Sequence, residues 1–232
     1  MQPSTHIDEI RRVSTRRSAH ALRSDAVNAD SLSQSMRLMG ATMAYPRDTE
    51  IFGENEPADY LYKVLSGTVR TYKILSDGRR QVGGFYLPGD IFGLEFADEH
   101  TLSAEAVSDT KVLVVKRSAL SALAGRDPSV AQQLFALTGR ELHRVQDRTL
   151  LLIKNARERV ASFLLEMADR ASENNTIELP MSRQDIADYL GLTIETVSRT
   201  LTQMVRDGLI KLAAAGRTII LSDRAGLQQL NA

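Results

Sequence analysis

The stretch Ser182-Arg183-Gln184-Asp185-Ile186-Ala187-Asp188-Tyr189-Leu190-Gly191-Leu192-Thr193-Ile194-Glu195-Thr196-Val197-Ser198-Arg199 carries two short helical patterns on either side of a glycine. Gly191 can adopt the left-handed backbone that a sharp turn between helices needs. Ala187 and Gly191 are small where the two helices must approach, and Val197 is the apolar residue that locks the second helix down. Ser182 is a favoured residue for starting the first helix. On a helix over 194–206, Val197, Leu201, Met204 and Val205 share one face, and Glu195, Ser198, Arg199 and Thr202 share the other. The polar face thus carries short and forked side chains at i, i+3, i+4 and i+7, as a reader of the DNA major groove requires. Glu195 and Arg199 could instead form a plain surface ion pair, worth a few tenths of a kcal/mol. The order Ala-x-x-x-Gly-x-x-x-Glu-x-x-Ser-Arg within one bihelical pattern favours the helix-turn-helix.

The run Glu195-Thr196-Val197-Ser198-Arg199 resembles the recognition-helix signature of the FNR and FixK branches of the CRP/FNR family of bacterial transcription regulators, and most closely the FixK type. The CRP branch has an Arg where this chain has Ile194. The resemblance extends over about 45–232 and implies a cyclic-nucleotide-binding-like β-roll, a dimerisation helix and a winged helix. It implies that Arg199 reads guanine, Glu195 the cytosine of a G·C pair, and Ser198 a neighbouring A·T pair. Base-edge chemistry agrees: Arg forks onto guanine O6 and N7, and Glu accepts from the cytosine amino group. Ser182, Arg183, Thr193 and Thr196 match family positions that touch phosphate, and Arg217 beside the wing turn is a further phosphate candidate. The implied partners are a second copy of the chain, RNA polymerase and double-stranded DNA carrying a TTGAT-N4-ATCAA-type palindrome. FixK-type members activate genes of microaerobic respiration and nitrogen metabolism, and are commonly controlled through their own abundance.

Composition bounds the alternatives. The 232 residues suffice for two modest domains with sizeable cores. With no cysteine there is no disulfide framework, thiolate metal site or cysteine redox sensor. No run of about 18 apolar residues occurs and the N-terminus lacks the apolar centre of a secretory signal, so the expectation is cytoplasmic, with no membrane span. Lys and Arg total 29, as do Asp and Glu, and residues 155–232 hold nine basic against ten acidic side chains. A basic footprint is therefore absent, and cations that meet DNA must be focused on one face.

The chain divides into an arm at 1–24, a sensor-like β-roll at 25–126, a dimerisation helix at 127–153 and a winged helix-turn-helix at 154–232. The arm holds five Arg and reads as flexible or partly helical. Residues 25–40 suggest a short helix with Leu32, Met36 and Met39. From Met43 to Val115, short apolar runs alternate with turn signals such as Asp77-Gly78 and Leu87-Pro88-Gly89-Asp90, the pattern of a small antiparallel barrel or sandwich. Asp127-Pro128 opens a long helix. Along it Thr138, Leu142, Val145, Thr149 and Leu152 step by 4, 3, 4 and 3, a heptad seam fit for a second copy or, in the competing reading, for the β-roll. In the next helix, 155–172, Val160, Phe163, Leu164 and Met167 form the core face. A strand at 176–179, a hairpin from Leu209 to Leu221 and a final helix near Leu227 complete the winged helix.

Cyclic-nucleotide receptors of the implied fold carry Gly-Glu after the barrel turn and Arg-Ser-Ala further on. Here those positions hold Gly93-Leu94 and Leu102-Ser103-Ala104, so neither the ribose carboxylate nor the phosphate Arg is in place. Glu95 is displaced by one residue. An iron–sulfur sensor needs cysteines, and a cupin-type metal enzyme needs several His where the barrel has His100 alone. The expectation is a non-enzyme without cofactor or metal; a regulator gated by some other small molecule near Leu94, Leu102 and Ser103 remains open. The turn Ser76-Asp77-Gly78-Arg79-Arg80 corresponds to the activating loop of FNR-like proteins. Asp77, Arg79 and Arg80 are thus candidate polymerase contacts, and a plain solvent turn is the alternative.

Overall fold

Glycine turns cut the first half of the chain into short strands, and all of their pairings are antiparallel. The computed structural model describes residues 31–151, 153–171, 175–213 and 217–231. The arm at 1–24, Leu152 and the wing turn at 214–216 lie outside the described residues. The strands are β1 (Ala41–Tyr45), β2 (Glu50–Phe52), β3 (Tyr60–Ser66), β4 (Val69–Ile74), β5 (Arg80–Tyr86), β6 (Ile91–Phe92), β7 (Ser103–Ala106) and β8 (Thr110–Lys116). They form two four-stranded sheets, β1-β8-β3-β6 and β2-β7-β4-β5. The β4–β5 hairpin turns at Gly78, whose φ of 83° is the left-handed value that glycine tolerates. Opposite Thr71 and Tyr72 the register slips, so Gly83 bulges out of β5. Between the sheets Phe52, Tyr62 and Phe92 pack ring on ring, with centroids 5.1–6.1 Å apart.

Helix α1 (31–39) buries Leu32 and Met36 against the roll. Met39, grouped with them by the sequence pattern, turns outward. A helix that the pattern does not announce follows the roll: α2 (Arg117–Ala124) has no side-chain N-cap and buries only Leu120. Helix α3 (Pro128–Leu151) begins as expected, with Asp127 accepting from the Ser129 backbone at 2.9 Å and its hydroxyl at 2.7 Å. Val130 and Leu137 of α3 pack on the roll.

The remaining elements are α4 (Ala156–Ala171), β9 (Thr176–Glu178), α5 (Arg183–Leu190), α6 (Ile194–Arg206), β10 (Ile210–Leu212), β11 (Thr218–Leu221) and α7 (Arg224–Asn231). Their sheet runs β10-β11-β9. Val160, Phe163, Leu164 and Met167 of α4 are buried as the amphipathic pattern predicts. This unit does not close its core alone. Val82, Phe85, Leu87 and Val107 of the roll join Phe163, Met167 and Tyr189 in one apolar cluster. Phe85 is the pivot, with ring centroids 6.3 Å from Phe163 and 5.3 Å from Tyr189.

Candidate DNA interface

Helix α5 starts where Ser182 stands. The Ser182 hydroxyl accepts from the Asp185 backbone N–H at 3.1 Å, and Asp185 Oδ2 accepts from the Ser182 N–H at 2.9 Å. This reciprocal capping box satisfies two donors at the helix start. The helix stops at Gly191, at φ 63° and ψ 42°. Its N–H and that of Leu192 both bond the Ala187 carbonyl, so the chain reverses tightly enough for Ala187 and Val197 to meet in the buried core. Arg159 of α4 reinforces the turn by donating to the Leu190 carbonyl at 3.0 Å, a role without any signal in the sequence.

Helix α6 opens on Thr193, whose Oγ1 accepts from the Thr196 N–H at 3.2 Å. Both hydroxyls therefore lie at a helix N-terminus, where backbone N–H groups favour phosphate. Val197, Leu201 and Met204 are buried. Val205 is not: it is 37% exposed, because it follows Met204 around the helix and falls at the edge of the stripe. Glu195, Ser198, Arg199 and Thr202 lie together on the open face. The Glu195 backbone and the Thr193 hydroxyl hold the Glu195 carboxyl below its ordinary range, so it stays an acceptor. Arg199 adds a weaker charge effect in the same direction, and no salt bridge between the two is among the contacts of the described residues. Thr202 donates back to the Ser198 carbonyl at 2.9 Å. Arg183 is half-buried at the first position of α5, and Arg217 is exposed just before β11.

On α3 the sequence-predicted seam points away from the roll. Leu142 is 58% and Val145 56% exposed, Thr149 is exposed and Thr138 half-buried. Phe135, missed from sequence, is 81% exposed seven residues before Leu142 and extends the same stripe. Stepping the heptad back from Thr138 would have found it. The turn residues divide. Asp77 and Arg79 are exposed and paired at 2.7 Å, whereas Arg80 donates to Asp185 at 2.6 Å and Asp188 at 2.8 Å on α5.

In the roll, a Cβ added at the Gly83 bulge would lie 2.6 Å from Leu102 Cδ1, so Leu102 packs directly on that backbone. Leu94 packs on the core shared with α1 and α3. Glu95 accepts from the Thr101 N–H and hydroxyl at 3.2 Å each, closing its own loop. These residues do not fit a cyclic nucleotide: the anion's partner is absent and an isobutyl group stands in its place. His100 lies in the loop between β6 and β7, yet it is buried. It is 1% exposed and stacked on Phe52 at 3.6 Å, and burial pulls its pKa down against the pull of Glu95 and Glu56. Among the described residues no cluster of His, Cys, Asp or Glu could hold a metal, and no helix is long and apolar enough to cross a membrane.

Residues 158–230 match the Crp-like helix-turn-helix domain, and residues 42–127 match the cyclic nucleotide-binding domain. The chain is 48% identical to the nitrogen fixation regulation protein FixK of Azorhizobium caulinodans over 85% of its own length and 82% of that protein. It is 40% identical to the transcriptional activatory protein AadR of Rhodopseudomonas palustris over 73% of each chain. The solved structure of FixK2 from Bradyrhizobium japonicum is 52% identical and superposes with a TM-score of 0.81, over 84% of this chain and 98% of that one. The open reading face of α6, the Gly191 turn and these likenesses agree: the chain belongs to the CRP/FNR family of DNA-binding transcription regulators, among its FixK-like members.

Proposed function

We propose that the protein is an activator that binds a TTGAT-N4-ATCAA-type palindrome as a homodimer and recruits RNA polymerase without a bound cofactor. The carrying observation is the exposed face of α6, on which Glu195, Ser198 and Arg199 stand together on a helix anchored by three buried apolar residues. Thr193 and Thr196 at the start of α6, Ser182 and Arg183 at the start of α5, and Arg217 flank that face as phosphate contacts. The exposed stripe of Phe135, Leu142 and Val145 supports pairing of two α3 helices, which a two-fold operator requires. Leu102 packed on Gly83 supports action without a cyclic nucleotide. Asp77 and Arg79 on the β4–β5 turn are the polymerase contacts in this reading. The names of the relatives point to target genes of nitrogen fixation.

The test is a titration of labelled palindrome against a scrambled duplex, with and without cyclic nucleotides, followed by transcription with purified polymerase. Selective binding by at least about a thousandfold, unaltered by nucleotide, is the expected result. Equal affinity for both duplexes rejects the reading. A cyclic nucleotide that tightens binding rejects its cofactor-free part.

A further inference from the structure

The reading unit is fastened to its own roll by ions. Arg70 of β4 is 8% exposed; it donates to Asp185 Oδ1 at 3.1 Å and to Glu105 at 2.9 Å. Arg80 of β5 donates to the same Asp185 oxygen at 2.6 Å and to Asp188 at 2.8 Å. The neighbouring Gln81 amide donates to the Asp188 carbonyl at 2.7 Å. Asp185 is 2% exposed, and its other oxygen closes the capping box with Ser182. One carboxylate therefore both begins α5 and docks it on β4 and β5. Burial opposes ionisation of Asp185, but the Ser182 hydrogen bonds, then Arg70 and Arg80, outweigh it and hold the carboxyl below its ordinary value.

Apolar contact also holds the two units together, as Phe85 against Tyr189 does. A buried ionic network is a poor glue, because desolvation cancels much of the attraction. What it adds is direction: two forked cations and two carboxylates accept few relative orientations. The strand that carries Arg80 and Gln81 is also braced from within, since Leu102 fills the space at the Gly83 bulge.

We propose that Arg70, Arg80, Asp185 and Asp188 form a positioning clasp that fixes each recognition helix at one angle to α3, so that the chain alone sets the half-site spacing it accepts. This rests on the palindrome reading above. The clasp residues contact no DNA base; they act through α5 on α6.

The experiment uses the full chain and two variants, Asp185→Asn and the double variant Arg70→Met/Arg80→Met, whose capping box is intact. Each is titrated against a single half-site, the palindrome, and palindromes with the spacer shortened or lengthened by one or two base pairs. Dimer mass is measured alongside by sedimentation. A loosened clasp lowers the effective concentration of the second half-site. The expected result for the double variant is an intact dimer, half-site affinity within about twofold of the parent and a loss on the palindrome of about ten- to a hundredfold. Its preference among spacers also flattens. If the double variant keeps the parent's palindrome affinity and spacer preference, the clasp is overturned. If it weakens half-site and palindrome equally, the cluster only stabilises the fold and the proposal again falls. Asp185→Asn weakening both equally would count against Asp185 as a clasp residue and leave it a helix cap. A parent that fails to prefer the palindrome over scrambled DNA is a different failure, that of the operator reading.

Discussion

The guanidinium carbon of Arg148 lies over the ring of Tyr189, 5.1 Å from its centroid. Arg148 belongs to α3, one residue before Thr149 of the exposed stripe, and Tyr189 belongs to the first helix of the reading unit. The same guanidinium donates to the carbonyls of Gly83 and Val82 in β5. One side chain of α3 therefore touches both the roll and the helix-turn-helix. Tyr189 is fixed from its other end by a 3.1 Å hydrogen bond to Glu166.

Arg148→Ala should destabilise the fold by about 1–3 kcal/mol, since it removes a cation–π contact and takes a donor from the Gly83 carbonyl at the bulge. Urea denaturation followed by circular dichroism measures this directly. An unchanged midpoint and slope would mean that the contact contributes nothing net.

Arg199→Ala and Glu195→Ala should each cost about 1–3 kcal/mol on the palindrome and relax preference at one base pair. Arg183→Ala should instead weaken specific and random DNA alike, with a salt slope lower by roughly one contact. Titrations at several salt concentrations separate the two behaviours. A base-selective effect of Arg183→Ala contradicts its assignment to phosphate.

How much of this was legible from sequence varied by element. The helix-turn-helix was, because Gly191, Val197 and the capping Ser182 each answer a local steric demand. Strands with turn signals at Asp77-Gly78 and Pro88-Gly89 were equally plain. Helix α2 was not, since a short helix without a cap leaves no periodic trace. Met39 and Val205 were assigned to buried faces and lie outside them, because angular position on a helix does not reveal how wide the covering surface is. Arg80 and Asp185 could not be paired from sequence, as they are 105 positions apart and meet only once the sheet and α5 dock.

Leu142→Glu or Val145→Glu should produce monomers. A carboxylate in an apolar seam costs several kcal/mol unless it finds a partner. Sedimentation should show half the parent's mass, and palindrome binding should collapse, because the half-sites lie about one helical turn apart, near 34 Å. A variant that remains dimeric with full affinity would move the interface off this stripe. Phe135→Glu provides the same check at the other end.

Replacing Asp77 and Arg79 by Ala should leave DNA affinity intact and lower transcription from a promoter carrying the palindrome. Arg80 is kept in this variant because it is engaged with Asp185 and Asp188. Full transcription with purified components reduces the turn to a structural one and shifts the search to other roll surfaces, such as 108–110.

Acid should loosen the clasp at Asp185. Its folded pKa is depressed, so its contribution is complete above the ordinary value of 3.8 and fades as pH falls through the lower folded value. Thermal unfolding between about pH 6 and pH 3 should therefore show the parent losing more stability at the acid end than Asp185→Asn. Parallel curves would remove Asp185 from the groups that drive acid unfolding.

The two oxygens of Asp185 also restrict what evolution can write at this position. Asparagine keeps the isosteric shape but surrenders the charge that Arg70 and Arg80 answer. Glutamate keeps the charge and can still cap a helix, yet its extra methylene drives the head group about one bond length into the cations. Serine can serve the helix start only. A change at Asp185 therefore disturbs the helix start, the pairing with Arg70 and Arg80, or both, so three positions far apart in the chain constrain one another.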